Sequence, residues 1–282
     1  MKTNASNPLL TIVVPAFGEP PFLKQTLQSI VSTQDESVKI IVLDDCSTSP
    51  FIHEISAEFS PRITYARNPS NLGVSENFNQ AFRMAKSEYV QVIGHDDVLT
   101  ASMLSVLQRH RDEMDDCFGI QPYVDSIDES GRIIRDPSFL SKRFLTPKRN
   151  GIVRGKRLTV SLMIGNWTYF PSIIWRVEKL PPSPFSSDYK YCMDLDLLLR
   201  LGSTGLGLLV LDEKGFQYRR HRNSVSMAVD PRERFKEERA VLTENSVSSK
   251  NRYSLERTLS KVALLPRMNL VLSQFNRMIG NR

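Results

Sequence analysis

The first third of the sequence alternates short apolar runs with segments of helical periodicity, and this alternation constrains the fold more than any other feature. Four runs of aliphatic and β-branched residues predict strands, at 9–14, 38–43, 63–66 and 89–93. Three segments with apolar residues three and four positions apart predict helices, at 22–31, 77–86 and 102–111. Alternation at this spacing predicts an α/β fold with a Rossmann-like, mostly parallel sheet flanked by helices.

Acidic residues follow two of these strands, at the edge where such sheets bind ligands beyond the carboxyl ends of the strands. Asp44 and Asp45 follow the second strand, and Asp96 and Asp97 follow His95 after the fourth. Carboxylates are preferred ligands of Mg²⁺ and Mn²⁺, so the second pair suits a divalent cation beside a diphosphate. The alternative, in which Asp44 and Asp96 only cap turns or helices, stays open.

Helical geometry separates two acids near residue 195. If residues 193–201 form a helix, Asp194 shares a face with the leucines three, four and seven positions later, and it points into the protein or a cleft. Partial desolvation makes a carboxylate a better base, which predicts a functional role here. Asp196 lies four residues before Arg200, the spacing of a helix ion pair, and is predicted to be structural. Interaction with the helix dipole is the alternative role for Asp194.

Beyond residue 115 the pattern is less regular. Three segments predict a strand, a basic loop and a short helix, at 118–124, 141–157 and 158–164. The aromatic residues Trp167, Tyr169 and Phe170 suit stacking on sugar rings, although core packing is the commoner use of such residues. Three arginines surround His221 in segment 218–226, which favours phosphate contacts or one metal ligand, with a solvated basic loop as the alternative.

The positive charge is concentrated near the end of the chain. The formal net charge is +6, and residues 250–282 alone hold seven basic residues and one acidic residue. In this tail an apolar stripe between Met268 and Ile279 lies beside Arg267 and Arg277, which predicts a basic amphipathic helix on an anionic membrane surface. Packing of the stripe onto the body or onto a second copy of the chain, as a homodimer, is the alternative. Nucleic acid is not predicted as a partner.

Composition and motifs argue against several classes of protein. With 40% hydrophobic and 24% charged residues, the 282-residue chain has the composition of an ordinary globular protein. Three scattered cysteines give neither metal-ligand spacing nor a disulfide framework, and neither a signal peptide nor a run of about 18 apolar residues is found. We therefore expect a cytoplasmic protein. Neither G-x-G-x-x-G nor a Walker pattern occurs, which argues against dinucleotide oxidoreductases and P-loop NTPases.

Five segments carry a further signal when they are taken in order. They are Thr11-Ile-Val-Val-Pro-Ala-Phe-Gly-Glu19, Ile40-Ile-Val-Leu-Asp-Asp-Cys-Ser-Thr48, Asn71-Leu-Gly73, Glu88–Leu99 and Asp194-Leu-Asp-Leu-Leu-Leu-Arg-Leu201. Together they resemble the family 2 glycosyltransferases of the GT-A fold, and Tyr218–Ser226 is similar to the Arg-x-His loop of that family. The resemblance implies a GT-A domain with a nucleotide-binding half, an acceptor half and a basic helical C-terminal extension, at 1–115, 116–228 and 229–282.

The resemblance implies roles for individual residues. It assigns five residues to nucleotide-sugar binding, namely Pro15, Phe17, Glu19, Asp45 and Asp96. Among these, Asp45 would accept a hydrogen bond from the base, and Asp96 would lie near the ribose or the sugar. Asp97 would bind a divalent cation, Mn²⁺ or Mg²⁺, that bridges the diphosphate, and His221 would approach this cation. Asp194 would be the base that deprotonates the acceptor hydroxyl.

The implied reaction is a single displacement with inversion, from a nucleotide-sugar donor to a hydroxyl of a glycan or lipid-linked acceptor in surface polysaccharide biosynthesis. Such an enzyme would act in the cytoplasm, peripherally on the inner face of the membrane. Glu76 and Gly94 depart from the family pattern, which often has an arginine and an acid there, so the donor nucleotide stays open. Two alternatives also stay open: a non-catalytic nucleotide-binding relative, and a sugar nucleotidyltransferase.

Overall fold

The computed structural model describes residues 8–147, 149–221 and 230–248. The strands are β1 Leu10–Ala16, β2 Val38–Asp44, β3 Ile63–Arg67, β4 Tyr89–Val92, β5 Val98–Leu99, β6 Cys117–Ile127, β7 Ile133–Ile134, β8 Gly151–Arg154, β9 Ile174–Arg176 and β10 Gly207–Arg219. The helices are α1 Leu23–Val31, α2 Phe51–Ala57, α3 Val74–Met84, α4 Met103–His110, α5 Pro137–Leu145, α6 Gly155–Ile164, α7 Met193–Ser203 and α8 Pro231–Ser248. Short 3₁₀ turns lie at Arg111–Glu113, Phe170–Ser172 and Val177–Lys179.

All the strands join one sheet in the order β3-β2-β1-β4-β9-β6-β10-β5, with β7 beside β6 and β8 beside β10. Strands β1 to β4, β6 and β10 run in the same direction, while β9 lies antiparallel between β4 and β6. The predicted α/β fold with a mostly parallel sheet is therefore confirmed. Because β4 and β2 flank β1, the acidic residues that follow these two strands lie at the same edge of the sheet as the loop after β1.

The core lies on both faces of the sheet, which explains the uninterrupted apolar character of the first strand. In β1, Val13 faces one layer while Ile12 and Val14 face the other, as the two-residue period of a strand requires. Helices α3, α6 and α7 supply apolar side chains to the layer of Val13, and α1, α2 and α4 supply them to the opposite layer. A strand covered on both sides has no position at which a polar residue could face water.

The basic segment 141–157 is not the loop that its composition suggests. It contains the last turns of α5, the whole of β8 and the start of α6. Strand β8 pairs with β10, and its residue Val153 is buried while Arg154 is exposed. The prediction was wrong because basic residues lie within regular elements and conceal their periodicity. They take exposed positions in β8 and α6, whereas in α5 the ammonium group of Lys142 is buried. The predicted strand at 118–124 also extends further, to Cys117–Ile127.

Helix α8 lies in the predicted C-terminal extension and contacts the start of α7. The carboxylate of Glu237 accepts hydrogen bonds from the backbone N–H groups of Tyr191 and Cys192, both at 2.6 Å. Further along α8, Asn245 donates to Asp196 at 3.1 Å. These contacts tie α8 to both the beginning and the middle of α7. The amphipathic tail at 250–282 lies outside the described residues.

None of the helices in the described ranges combines the length and the apolar character that a membrane span requires.

Substitution of Glu237 tests the contact between α8 and the start of α7. Glu237→Ala leaves two backbone N–H groups without their acceptor, so we expect the free energy of unfolding to fall by about 1–3 kcal/mol. Urea unfolding followed by circular dichroism measures the change. Lys236→Ala, an exposed change at the neighbouring position of α8, is the control and should stay within about 0.5 kcal/mol of the wild type. Equal stability of the two variants would contradict the bridging role.

Candidate active site

The loop after β1 forms the first wall of the site. Pro15 is buried within the strand, whereas Phe17 is 56% exposed and Glu19 is exposed. Between these two side chains, Gly18 adopts a positive φ of 73° and donates its N–H to Ser47 Oγ at 2.9 Å. The hydrogen bond fixes the loop to the end of β2 and leaves the Phe17 ring open to solvent at the sheet edge.

Asp44 is a structural residue. It is 1% exposed, and Ser47 donates to its Oδ1 from both the backbone and the hydroxyl. Tyr65 and Arg67 donate to its Oδ2 from the neighbouring strand β3. Burial alone would raise the pKa of Asp44, but these hydrogen bonds and the Arg67 charge outweigh burial and lower it. The structure therefore shows the alternative role of Asp44, in which the carboxylate organises a turn.

Asp45 holds the turn that precedes α3. Its carboxylate accepts hydrogen bonds from Asn68 Nδ2 at 2.8 Å and from the backbone of Leu72 and Gly73 at 2.9 and 3.0 Å. Gly73 begins the helix with a φ of 76°, a conformation that glycine adopts without a steric cost. Asp45 thus shapes the wall beside the Phe17 loop, and the hydrogen bond expected between it and a base stays a prediction.

Asp97 is enclosed at the end of β4. The side chain is fully buried, and its Oδ1 accepts a hydrogen bond from the Arg219 backbone at 2.9 Å. Among the described residues, no group donates to its Oδ2. Burial and the neighbouring charge of Asp96 raise the pKa of Asp97 well above its usual value, although its contacts with Arg219 oppose the shift. A buried carboxylate oxygen without a partner is an incomplete arrangement that a cation could complete.

Asp96 contacts His221 and the buried Arg219. His221 Nε2 lies 2.8 Å from Asp96 Oδ2, and its ring meets that of Phe22 edge-on at 5.1 Å. Arg219 donates from Nε to the Asp96 carbonyl at 2.7 Å and from Nη1 to the carbonyls of Asp128 and Glu129. The direct partner of His221 is therefore a carboxylate. Arg219, expected in a phosphate-binding loop, is 2% exposed and bonds to the protein.

Gly94 leaves room between the two carboxylates of this pair. A Cβ atom at this position would lie 2.6 Å from Asp96 Oδ1 and 2.8 Å from Asp97 Oδ2. Both oxygens therefore face the same small space, and a larger residue, including the acid frequent in the family, would collide with them. Two carboxylate oxygens suit Mg²⁺ or Mn²⁺, which take their remaining ligands from phosphate and water. Within the described ranges no group of three or more His, Cys, Asp or Glu side chains is placed to hold a metal ion.

Asp194 lies in the first turn of α7 and is held by Asn166. The Asn166 Nδ2 donates to Asp194 Oδ2 at 3.1 Å. The Asn166 Oδ1 accepts from the backbone and hydroxyl of Thr168 at 3.2 and 2.7 Å, which fixes the orientation of the amide. The neighbouring acid is buried and pairs with Arg200 at 2.8 Å, so the structural role predicted for Asp196 is confirmed.

Two charged residues that the sequence did not single out lie near Asp194. Lys142 of α5 donates to the carbonyls of Asn166, at 3.0 Å, and Thr168. Burial of its ammonium group lowers the pKa of Lys142 to about 7, although the Asp194 charge opposes this shift. Burial also raises the pKa of Glu238 on α8. Only tertiary packing brings α5 and α8 to this point, so no local sequence pattern could reveal them.

The aromatic residues before β9 belong to the core. Trp167, Tyr169 and Phe170 are 1%, 8% and 9% exposed, so the alternative of core packing is the one that the structure shows. Their bulk supports the loop that carries Asn166.

Glu76, which departs from the family pattern, also has partners within the protein. Its carboxylate pairs with Arg83 at 2.5 Å and accepts from Asn79 at 3.2 Å, all within α3. The residue found where the family often has an arginine is therefore part of an ion pair on the helix surface.

Comparison with known proteins gives a consistent result. A family model described as glycosyl transferase family 2 matches residues 11–177. The putative colanic acid biosynthesis glycosyl transferase WcaA of Escherichia coli (strain K12) is 26% identical over 198 residues, which are 70% of this chain and 67% of WcaA.

Two solved structures share the architecture at low sequence identity. The Staphylococcus aureus TarS 1–349 complex with UDP-GlcNAc has a TM-score of 0.68 at 16% identity and covers 93% of this chain and 73% of that one. The mannosyltransferase PcManGT from Pyrobaculum calidifontis, solved with GDP-Man and Mn²⁺, has a TM-score of 0.63 at 15% identity and covers 95% and 75%. At these identities the likeness shows the fold.

The lowered pKa of Lys142 predicts a pH dependence of stability. In the unfolded chain a lysine titrates near its ordinary value of about 10.4, so between about pH 7 and 10 the unfolded state binds more protons than the folded state. The contribution of Lys142 to the free energy of unfolding should therefore rise with pH across this window. In Lys142→Met we expect a flatter profile in urea titrations at several pH values. The exposed change Lys86→Met should keep the wild-type slope, and an unchanged slope in Lys142→Met would contradict the burial of the ammonium.

Proposed function

The chain belongs to glycosyl transferase family 2 and has the GT-A fold, and from this premise we propose that it is an inverting transferase. It moves a sugar from a nucleotide-sugar donor to a hydroxyl of a glycan or lipid-linked acceptor in surface polysaccharide assembly. The observation that carries the proposal is the placement of its acids. An acidic pair with an unpartnered buried oxygen ends β4, and a separate carboxylate, oriented by an amide, begins α7.

The donor nucleotide lies, in this proposal, over the ends of β1 and β2. Pro15, Phe17 and Glu19 line its pocket, and the exposed Phe17 ring offers an apolar surface to the base. Asp45 accepts a hydrogen bond from the base while it holds the Leu72–Gly73 turn. Asp96 lies near the ribose or the sugar. This assignment is supported by the register, which sets Pro15 beside Leu43 at the end of β2.

The residues beside Gly94 fit a divalent cation. Asp97 and Asp96 would hold it through the oxygens that face the same space, and His221 adjoins this position through its contact with Asp96. When bound, such a cation offsets the negative charge that develops on the leaving diphosphate. The Mn²⁺ in the PcManGT structure supports a cation of this class.

Asp194 acts in this proposal as the base. Asn166 occupies its Oδ2, so that Oδ1 can accept the proton of the acceptor hydroxyl as that hydroxyl attacks the anomeric carbon. The carbon inverts because the nucleophile arrives opposite the leaving diphosphate. Lys142 keeps the loop of Asn166 in place by its hydrogen bonds to two carbonyls.

Three further points belong to the proposal. Residues 1–228 form the transferase domain, with a nucleotide-binding half at 1–115 and an acceptor half at 116–228, and residues 229–282 are its extension.

The cationic tail at 250–282 contacts an anionic membrane surface, on the cytoplasmic side, and a homodimer is the alternative use of its apolar stripe. The colanic acid pathway in the name of WcaA supports an acceptor from surface polysaccharide assembly.

Donor turnover tests the proposed activity. The full-length protein is incubated with Mn²⁺, an acceptor extract and a panel of nucleotide sugars, and the nucleoside diphosphate released is measured. One donor should give release that depends on the acceptor. Nucleotide binding without release from any donor would favour the non-catalytic alternative. Formation of a nucleoside triphosphate when pyrophosphate replaces the acceptor would favour a nucleotidyltransferase.

Asp194→Asn tests the assignment of the base. The amide keeps the shape of the carboxylate but cannot accept the proton, so we expect kcat to fall by at least about 10²-fold. Donor affinity, measured by calorimetry, should stay within about twofold of the wild type, because the described hydrogen bond of Asp194 goes to Asn166 and not to the donor loops. A large loss of donor affinity would show that Asp194 belongs to the nucleotide pocket.

Asn166→Ala tests the orientation of that base. Loss of one hydrogen bond to a carboxylate corresponds to about 1–2 kcal/mol, so kcat/KM should fall about tenfold. Asn245→Ala, which removes a hydrogen bond to Asp196, is the matched control and should keep the wild-type kcat/KM. The proposed orientation would be wrong if both variants had the same kcat/KM.

A further inference from the structure

Helix α5 exposes two large apolar side chains on its outer face. Phe144 is 88% exposed and Leu140 is 53% exposed, and their spacing of four residues places them next to each other. On the opposite face, Phe139 is 3% exposed and Lys142 reaches the Asn166 loop. The helix therefore has an inner face built into the domain and an outer apolar face that no described residue covers.

Arginines lie beside this face at the C-terminal end of the helix. Arg143 is partly exposed, and its guanidinium lies over the Tyr123 ring, 5.1 Å from the centroid. The Arg149 guanidinium donates to the Arg143 carbonyl at 3.2 Å. The Arg157 guanidinium donates to the Pro147 carbonyl at 2.9 Å, two residues after α5 ends. These hydrogen bonds bring both later arginines to the C-terminal end of α5. The sequence from 141 to 157 contains no acid, and its described ion pairs include Arg149 with Asp212 at 3.8 Å and Arg154 with Asp116 at 3.5 Å.

The combination of few apolar side chains with several cations indicates the type of partner. A stable protein interface buries about 800 Å² on each side, far more than two side chains supply. A bilayer requires less, because apolar side chains enter the boundary between headgroups and acyl chains while each nearby Lys or Arg adds about 1 kcal/mol of attraction to anionic lipid. The surface thus has the chemistry of an anionic bilayer contact.

We propose that Leu140, Phe144 and the arginines Arg143, Arg149 and Arg157 form a docking surface for an anionic phospholipid bilayer. This surface is separate from the cationic tail and requires no catalytic activity. Its position has one consequence that rests on the proposed function. Because Lys142 on the opposite face of the same helix holds the loop of Asn166, docking would place the acceptor side of the site one helix diameter, about 10 Å, from the lipid surface.

Vesicle sedimentation with the full-length protein tests the proposal, in the absence of donor and acceptor. The protein should bind vesicles that contain phosphatidylglycerol and should not bind vesicles of phosphatidylcholine alone. Phe144→Ser combined with Leu140→Ser should weaken binding about tenfold or more, since the apolar contribution of both side chains is lost. Ile164→Ser, which removes another exposed apolar side chain, is the matched control and should bind like the wild type.

The charge contribution is tested by pairs of equal charge change. The double variant Arg143→Gln with Arg157→Gln should bind phosphatidylglycerol vesicles more weakly, and its binding should depend less on salt concentration. The exposed pair Lys39→Gln with Lys86→Gln should have little effect on either quantity. The tail pair Arg267→Gln with Arg277→Gln distinguishes the two surfaces. If the tail variant alone lost binding while the α5 variants bound normally, the proposal would be overturned. Absence of wild-type binding to phosphatidylglycerol would overturn it as well.

A fluorescent variant reports insertion directly. Phe144→Trp places an indole on the exposed position, whereas Trp167 and Trp175 are buried, so its emission should shift to the blue when phosphatidylglycerol vesicles are added. An unshifted spectrum with bound protein would contradict insertion. If Phe144→Ser instead changed the sedimentation coefficient without lipid and left vesicle binding intact, the face would belong to a second copy of the chain. Transfer assays on these variants are separate, so a failed activity assay leaves the vesicle result valid.

Discussion

The buried guanidinium of Arg219 is the interaction on which the rest of the site depends. Two carboxylates, Asp96 and Asp97, end one strand with one of them fully enclosed, and such a pair is unstable without a nearby cation. Arg219 supplies this charge at the end of β10. Its Nε donates to the Asp96 carbonyl, its backbone N–H donates to the Asp97 carboxylate, and its Nη1 donates to the carbonyls after β6. It joins the two halves of the sheet, and the chain continues from it directly to His221.

The six acids singled out in three adjacent or nearly adjacent pairs include both shaping and reacting groups. Asp44 and Asp196 are saturated with partners from the protein, and each fixes the element that carries its neighbour. Asp194 keeps one oxygen outside its described hydrogen bond, so it retains capacity for a ligand. The same principle applies to Asp97, whose second oxygen has no partner in the described part of the chain. Structural acids thus hold reactive ones in position.

Much of the fold followed from local sequence patterns, but part of the site did not. Helical periodicity predicted Asp194 as the inward acid of α7, but Asp196 is the buried one, at 5% exposed. The strands that precede Asp44 and Asp96, and the pair of Asp196 with Arg200, could be predicted because the periods of strands and helices are local properties. Asn166, Lys142 and Glu238 could not, since α5, the loop before β9 and α8 meet only through tertiary packing. The basic segment after α5 was misread for the opposite reason: its charges hid the regular positions that they occupy.

The bond between Glu237 and the first turn of α7 sets an order of events during synthesis. The helix that carries Asp194 can form its body when residue 203 has emerged, but its leading N–H groups lack their acceptor until residue 237 has also left the ribosome. The sheet and the donor walls are complete before that moment. A nascent chain therefore completes the proposed donor walls before α8 anchors the helix of the proposed base, and under the proposed function this delay would separate binding from turnover in time.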